Sequence, residues 1–189
     1  MGIPDEQFIR SEGVPMTKNE IRVLSIAKLQ LFSKAIVYDI GAGSGSVAIE
    51  SKLIVTEGEV FAIEKEQKAV EVIKQNCKRF AATLRVIEGE APEALKNLPM
   101  ADRIFIGGSG GNLEKIIRTC DTKLTIGGRI ILNSVTLTSA TDAYKLWQSM
   151  GYLMEATQIN VAQIVTRGSS EMWIARNPVT IISAEKSGG

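Results

Sequence analysis

Histidine is absent from all 189 residues. That one absence excludes Ser-His-Asp and Cys-His mechanisms, imidazole metal sites and a histidine general base. Cysteine is scarce: Cys77 and Cys120 stand far apart and in no CxxC pattern. A disulfide scaffold and a zinc cluster are thereby excluded, no metal site is expected, and a reducing compartment fits. There is no surplus of either charge, with 22 Lys and Arg against 21 Asp and Glu and a net charge of +1. Such a balance argues against a nucleic-acid binder, because neutralising phosphates normally takes an excess of cations. No apolar run reaches the roughly 18–20 residues needed to cross a bilayer. The opening Met1-Gly2-Ile3-Pro4-Asp5-Glu6 carries no charged-then-apolar signal, so a cytoplasmic chain without membrane attachment is expected. What is present is 44% hydrophobic and 23% charged residues. That is enough to bury a core, and the length suits one α/β domain over residues 1–189.

Residues 1–16 carry two prolines and little periodicity, and read as an extended N-terminal arm. Thr17-Lys18-Asn19-Glu20 has the form of a capping box, and Ile21, Leu24, Ala27 and Leu31 follow at helical spacing. A helix over 17–31 is expected. Short β-branched runs then appear at 35–40, 60–63, 84–87, 103–106 and 129–132, separated by the amphipathic stretches 67–80 and 112–124. Gly127-Gly128 marks the stop between the latter helix and the next strand. Strands alternating with helices imply a parallel sheet with right-handed crossovers and helices on both faces. The alternation fails at the end. After a helix near 140–150, the runs 152–161 and 172–183, joined around Thr166–Ser170, read as an antiparallel pair closing one edge. Residues 185–189 read as a frayed tail.

The strongest local signal is Val37-Tyr38-Asp39-Ile40-Gly41-Ala42-Gly43-Ser44-Gly45-Ser46-Val47, which leaves the first strand and enters a helix near Gly45. Gly41, Gly43 and Gly45 let the backbone turn sharply and let a ligand approach the peptide units. A dinucleotide loop wants its third glycine one residue later. Asp39 would also oppose a pyrophosphate, and favours a ligand with positive charge such as S-adenosylmethionine. Glu64, closing the next strand, is suited to accept both hydroxyls of a ribose. Its competing reading is a solvated charge leading a charged helix. Glu88-Gly89-Glu90-Ala91-Pro92 closes the third strand where an adenine ring would lie, with the Ala91 N–H able to read its edge. Ile106-Gly107-Gly108-Ser109-Gly110-Gly111 removes side-chain bulk beside the reacting group, or is simply a flexible loop. All four loops fall at the carboxyl ends of parallel strands, where open α/β sheets bind ligands.

These residues together resemble a class I S-adenosylmethionine-dependent methyltransferase, a Rossmann-like fold whose mostly parallel seven-stranded sheet ends in an antiparallel pair. At finer grain the segments 3–9, 14–18, 39–45, 88–95, 105–111, 127–132 and 175–179 are similar to the decarboxylating cobalt-precorrin methyltransferases of cobalamin biosynthesis. The likeness runs from about Ile3 to Ala184 and is poorer between Val161 and Trp173. It implies methyl transfer from S-adenosylmethionine to carbon 15 of cobalt-precorrin-6B. The ring C acetate is lost as carbon dioxide, giving cobalt-precorrin-7. It also implies cofactor contacts at Thr17, Gly41, Ala42, Gly43, Ser44, Gly45, Glu64 and Ala91, and a homotetramer.

The missing histidine suits that chemistry. A partly reduced tetrapyrrole supplies electron-rich carbon and the conjugated macrocycle an electron sink, so alignment of methyl and carbon is the main task of the protein. No catalytic base is assigned. Glu90 and Tyr38 are the nearest candidates, and each reads better as a cofactor-shell or structural residue. A polycarboxylate tetrapyrrole needs cations to hold it, and Arg10, Lys18, Arg129, Arg167 and Arg176 are candidates, with Asn133-Ser134 at the end of the fifth strand. Competing functions are a class I methyltransferase acting on RNA or protein, and a nicotinamide-binding redox or other nucleotide-binding protein.

Overall fold

The computed structural model describes residues 2–188. Its strands are β1 (Ile36–Ile40), β2 (Glu59–Glu64), β3 (Arg85–Glu88), β4 (Ala101–Ile106), β5 (Leu124–Ser134), β6 (Leu153–Ile159), β7 (Ala162–Arg167), β8 (Ser170–Ala175) and β9 (Val179–Glu185). The helices are α1 (Asn19–Leu29), α2 (Ser46–Ile54), α3 (Gln67–Arg79), α4 (Leu113–Lys123) and α5 (Leu137–Ser149). Seven strands form one sheet in the order β3-β2-β1-β4-β5-β9-β6. Strands β1 to β5 pair in parallel, and β9 runs antiparallel to both neighbours. The expected parallel sheet with an antiparallel closing pair is therefore present.

The period-2 alternation of β1 sorts its residues onto two cores. Tyr38 and Ile40 pack with Ile104, Ile106, Ile117 and Trp147 beneath α4 and α5. Val37 turns the other way, onto Ala48, Val60 and Ile73 beneath α2 and α3. Helix α1 covers the same side nearer β5, its Ile26 and Leu29 clustering with Phe105 of β4 and Ile131 of β5. Asp39 shares the parity of Val37, which aims its carboxylate at the start of α2.

Five expectations need correction. The capping box does not form: Lys18 is the N-cap, with no side-chain cap, because Glu20 turns aside to Arg176. Gly127-Gly128 lies inside β5, which begins directly at Leu124 and shifts register against β4 between Ala101 and Arg103. The run 172–183 is two strands, broken by Asn177-Pro178, where proline has no N–H to give a ladder. Strand 152–161 likewise ends at Ile159, and β7 and β8 form a separate antiparallel hairpin through Gly168-Ser169, with Gly168 at φ +62°. Finally, the tail is not frayed through Ser187. Glu185 closes β9, Lys186 exchanges backbone hydrogen bonds with Gly127 and Gly128, and Ser187 donates to the Gly151 carbonyl at 2.6 Å. Gly189, like Met1 of the arm, lies outside the described residues.

The arm is anchored rather than loose. Arg22, with no exposed surface, donates to Glu50 at 2.6 Å and to Asp5 at 3.1 Å, and lies 4.9 Å over the Phe8 ring. Glu50 in turn accepts the Gly2 and Ile3 N–H groups at 2.8 and 3.0 Å. Asn76 of α3 exchanges hydrogen bonds with the Ile9 backbone and donates to the Ser44 carbonyl.

Candidate active site

Strand order reverses around β1, which has β2 on one side and β4 on the other, and a crevice opens at such a switch point. Register brings its parts together. Ile40 pairs with both Ile63 and Ile106, so Gly41, Glu64 and Gly107 emerge side by side, and Glu64 pairs with Glu88, which places Glu90 next. The resulting cavity, about 160 Å³, is lined by Gly41, Glu64, Lys65, Glu90, Ala91 and Gly107 among others.

Glycine is required here by backbone proximity. Gly41 has φ +70°, and a Cβ on it would stand 2.7 Å from the Gly108 carbonyl oxygen. A Cβ on Gly43 would stand 2.4 Å from the Pro15 carbonyl oxygen, because the arm crosses the loop there and Pro15 accepts the Ser44 N–H at 3.0 Å. The arm thus forms one wall of the site.

Glu64 is splinted by backbone donors. One oxygen accepts Gly43 N–H at 2.8 Å, and the other accepts Lys65 and Glu66 N–H at 2.8 and 3.0 Å. It is 8% exposed, so it reaches the cavity as an oriented acceptor and not as a solvated helix-leading charge. Across the mouth, Lys65 Nζ meets Glu90 Oε1 at 3.0 Å. Asp39 lies behind the loop and does not line the cavity. One of its oxygens accepts Ala48 N–H at 2.9 Å, satisfying a free donor of the first turn of α2. Burial, with the Glu64 charge nearby, pushes its carboxyl up to about 7.

Among the described residues, Asp39 Oδ1 and Ser44 Oγ are buried without a partner. Orphaned polar atoms beneath a glycine loop, with Glu64 and Glu90 on the rim, make an electronegative crevice suited to a cationic nucleoside. The residues present fit S-adenosylmethionine in this sense. Of the residues expected to touch it, Gly41, Glu64, Glu90, Ala91 and Gly107 line the cavity, while Ala42, Gly43, Ser44 and Gly45 do not.

Thr17 is placed elsewhere. It lines a second cavity of about 370 Å³ that meets the first at Pro15 and Gly107. Lys18, Asn133 and Arg176 line it too, with Ile21, Val135 and Val179 as apolar wall. The other expected anchors are not brought there. Arg129 pairs with Glu185 at 2.8 Å, Arg10 is exposed on the arm, and Arg167 sits at the hairpin turn. Tyr38 is removed from the chemistry as well, being buried with its hydroxyl donated to the Pro99 carbonyl. Pro15 and Val135 are wall residues that no chemical motif marks. Only the packing of the arm and the turn after β5 reveals them. Among the described residues no group of three His, Cys, Asp or Glu side chains could hold a metal ion.

The chain is similar to known proteins over nearly its whole length. Residues 7–186 match the family model of the precorrin methyltransferase domain. A probable cobalt-precorrin-6B C(15)-methyltransferase (decarboxylating) of Sulfurisphaera tokodaii is 44% identical over 188 residues, covering 98% of this chain and 97% of that protein. The crystal structure of precorrin-6y C5,15-methyltransferase from Geobacter metallireducens superimposes with a TM-score of 0.92 at 40% identity, covering 98% of both chains. Precorrin 8w decarboxylase of Methanobacterium thermoautotrophicum does so with a TM-score of 0.91 at 32% identity, covering 96% of this chain and 98% of the other.

Proposed function

Because the chain belongs to the precorrin methyltransferase family, we propose that it methylates carbon 15 of cobalt-precorrin-6B with loss of the ring C acetate carboxyl as carbon dioxide. The observation that carries this reading is the pair of adjoining cavities. One is acidic and glycine-lined; the other is roomier, apolar-walled and edged by Lys18 and Arg176. S-adenosylmethionine, bound in the first, supplies an electrophilic methyl on a sulfonium, and the acceptor occupies the second.

The chain's own residues align the two. Glu64, held by three backbone donors, takes the ribose hydroxyls, and the Ala91 N–H takes the edge of the base. Gly107 lies on the shared border, where a side chain would stand between donor and acceptor; its own Cβ would be 3.0 Å from Phe105. Glu90 holds Lys65 over the mouth, which keeps that lysine from leaving an unbalanced cation beside the sulfonium. Asp39 lies behind the loop and holds the start of α2 through the Ala48 N–H. Methyl and carbon must be held in line about 3–3.5 Å apart. The bond to carbon 15 forms with the electron pair of the macrocycle, and the pair released with carbon dioxide returns to it.

We further assign a homotetramer working in the cytoplasm. Support for assembly comes from β7 and β8, a two-stranded sheet with no strand neighbours. It exposes Ile164, Val165, Met172 and Trp173, with Trp173 70% exposed, and a lone hairpin of that kind calls for a cover. Incubating the protein with cobalt-precorrin-6B and methyl-labelled S-adenosylmethionine tests the reaction. The expected product gains the labelled methyl and loses carbon dioxide; methylation of an RNA or protein acceptor instead would overturn it.

A further inference from the structure

The two cations of the second cavity already have carboxylate partners on the protein. Lys18 Nζ lies 3.7 Å from Asp5 Oδ2, and Arg176 lies 3.1 Å from Glu20 Oε2. Gln163 of the hairpin closes the latter arrangement, donating to Glu20 and accepting from Arg176. These pairs differ in kind from Arg22–Glu50, whose side chains are 0% exposed on both sides. Lys18 and Asp5 are 33% and 19% exposed, and Arg176 and Glu20 are 33% and 37% exposed. Ion pairs that water reaches are screened and hold weakly, so a ligand carboxylate can replace either acid.

Each acid also has somewhere to stay once displaced. The other oxygen of Asp5 accepts from buried Arg22 at 3.1 Å, and Glu20 keeps its hydrogen bond from Gln163 at 2.6 Å. Releasing the cations therefore strands no buried charge. We propose that Lys18 and Arg176 are the specificity-determining cations that take two carboxylates of the acceptor, and that Asp5 and Glu20 are placeholders which the acceptor displaces. This deepens the proposed function and rests on it. The placeholders keep the cavity close to neutral before binding. A monocarboxylate then offers only one exchange, whereas a rigid polycarboxylate delivers two at once, which is how this site would select a macrocycle.

The experiment titrates uroporphyrin, a flat polycarboxylate macrocycle, into the full chain by absorbance, with S-adenosylhomocysteine binding measured in parallel by calorimetry. Lys18→Met and Arg176→Met should each weaken porphyrin binding about tenfold, with S-adenosylhomocysteine affinity unchanged. Glu20→Gln should tighten porphyrin binding, since a resident competitor loses its charge, and Arg129→Met, outside the cavity, should leave it alone. Wild-type porphyrin affinity in both cation variants would overturn the assignment of Lys18 and Arg176. Weakening by Glu20→Gln would show that Glu20 orients Arg176 and would overturn the placeholder role. Failure of the wild-type chain itself to bind the porphyrin, with S-adenosylhomocysteine bound normally, would overturn the macrocycle reading underneath and not merely these residues.

Discussion

Asp39 and Glu64 show one functional group, the carboxylate, set to two tasks by its surroundings. Glu64 spends its oxygens on three backbone N–H groups and still faces the cavity. Glu64→Ala should weaken S-adenosylhomocysteine binding by about 1–3 kcal/mol, because a charged acceptor is withdrawn from ribose hydroxyls. Calorimetry checks this, and unchanged affinity would leave Glu64 as a loop splint only. Asp39 has one hydrogen-bonded oxygen and one orphan, and its carboxyl is pushed from 3.8 to about 7 by burial. The folded chain therefore binds that proton more tightly than the unfolded one. Its contribution to stability is present below about pH 4 and is lost as pH rises toward 7. Asp39→Asn keeps an acceptor for Ala48 and removes the titration. Urea unfolding of the ligand-free protein should show wild-type stability falling over that window by up to about 4 kcal/mol more than the variant's. Equal slopes would mean that Asp39 stays ionised throughout.

Among the elements, the arm is the least expected. Its prolines and weak periodicity describe an extended segment, which it is, but give no hint that it walls the ligand site. That role comes from Arg22 and Glu50, which look like ordinary helix-surface charges until α1 and α2 pack together. Glu50→Ala removes the fully buried partner of Arg22 and leaves it only the partly exposed Asp5, and should cost up to roughly 3–5 kcal/mol. Denaturant unfolding measures the loss, and limited proteolysis should find the arm newly cleavable near its start. The helices α3 and α4 were legible because their apolar faces repeat at helical spacing over more than ten residues. Thr17-Lys18-Asn19-Glu20 misled because α1 takes Lys18 and not Thr17 as its N-cap, and Glu20 lies against Arg176, 156 residues away in sequence. The hairpin β7–β8 was hidden for a related reason. Strand β7 falls within what reads as a connection, and β8 runs on toward β9 with only a short break, so periodicity alone merged those two.

For the whole molecule, the proposed assembly rests on the exposed apolar surface of the hairpin. Ile164 pairs across it with Trp173, and Val165 with Met172, so both of its faces carry exposed apolar groups. If that surface joins the subunits, Trp173→Ser should shift the particle from tetramer toward smaller species in light scattering, since interface aromatics carry a large share of binding energy. A tetramer that persists at the lowest concentrations would place the interface elsewhere. S-adenosylhomocysteine binding should survive the substitution, because no hairpin residue lines the first cavity.

The sequence by itself determined the alternation of strands and helices, the glycine loop after β1, and the absence of imidazole chemistry. Each is a local matter of periodicity, turn geometry or composition. Likeness along the chain carried the family. Only the tertiary structure decided that Asp39 sits beneath the loop while Glu64 faces the first cavity, and that Thr17 belongs to a second one. It also separated Lys18 and Arg176 from the other surface cations. Those outcomes depend on strand order and register, which bring residues far apart in sequence to neighbouring strand ends, and no local pattern encodes which ends will meet.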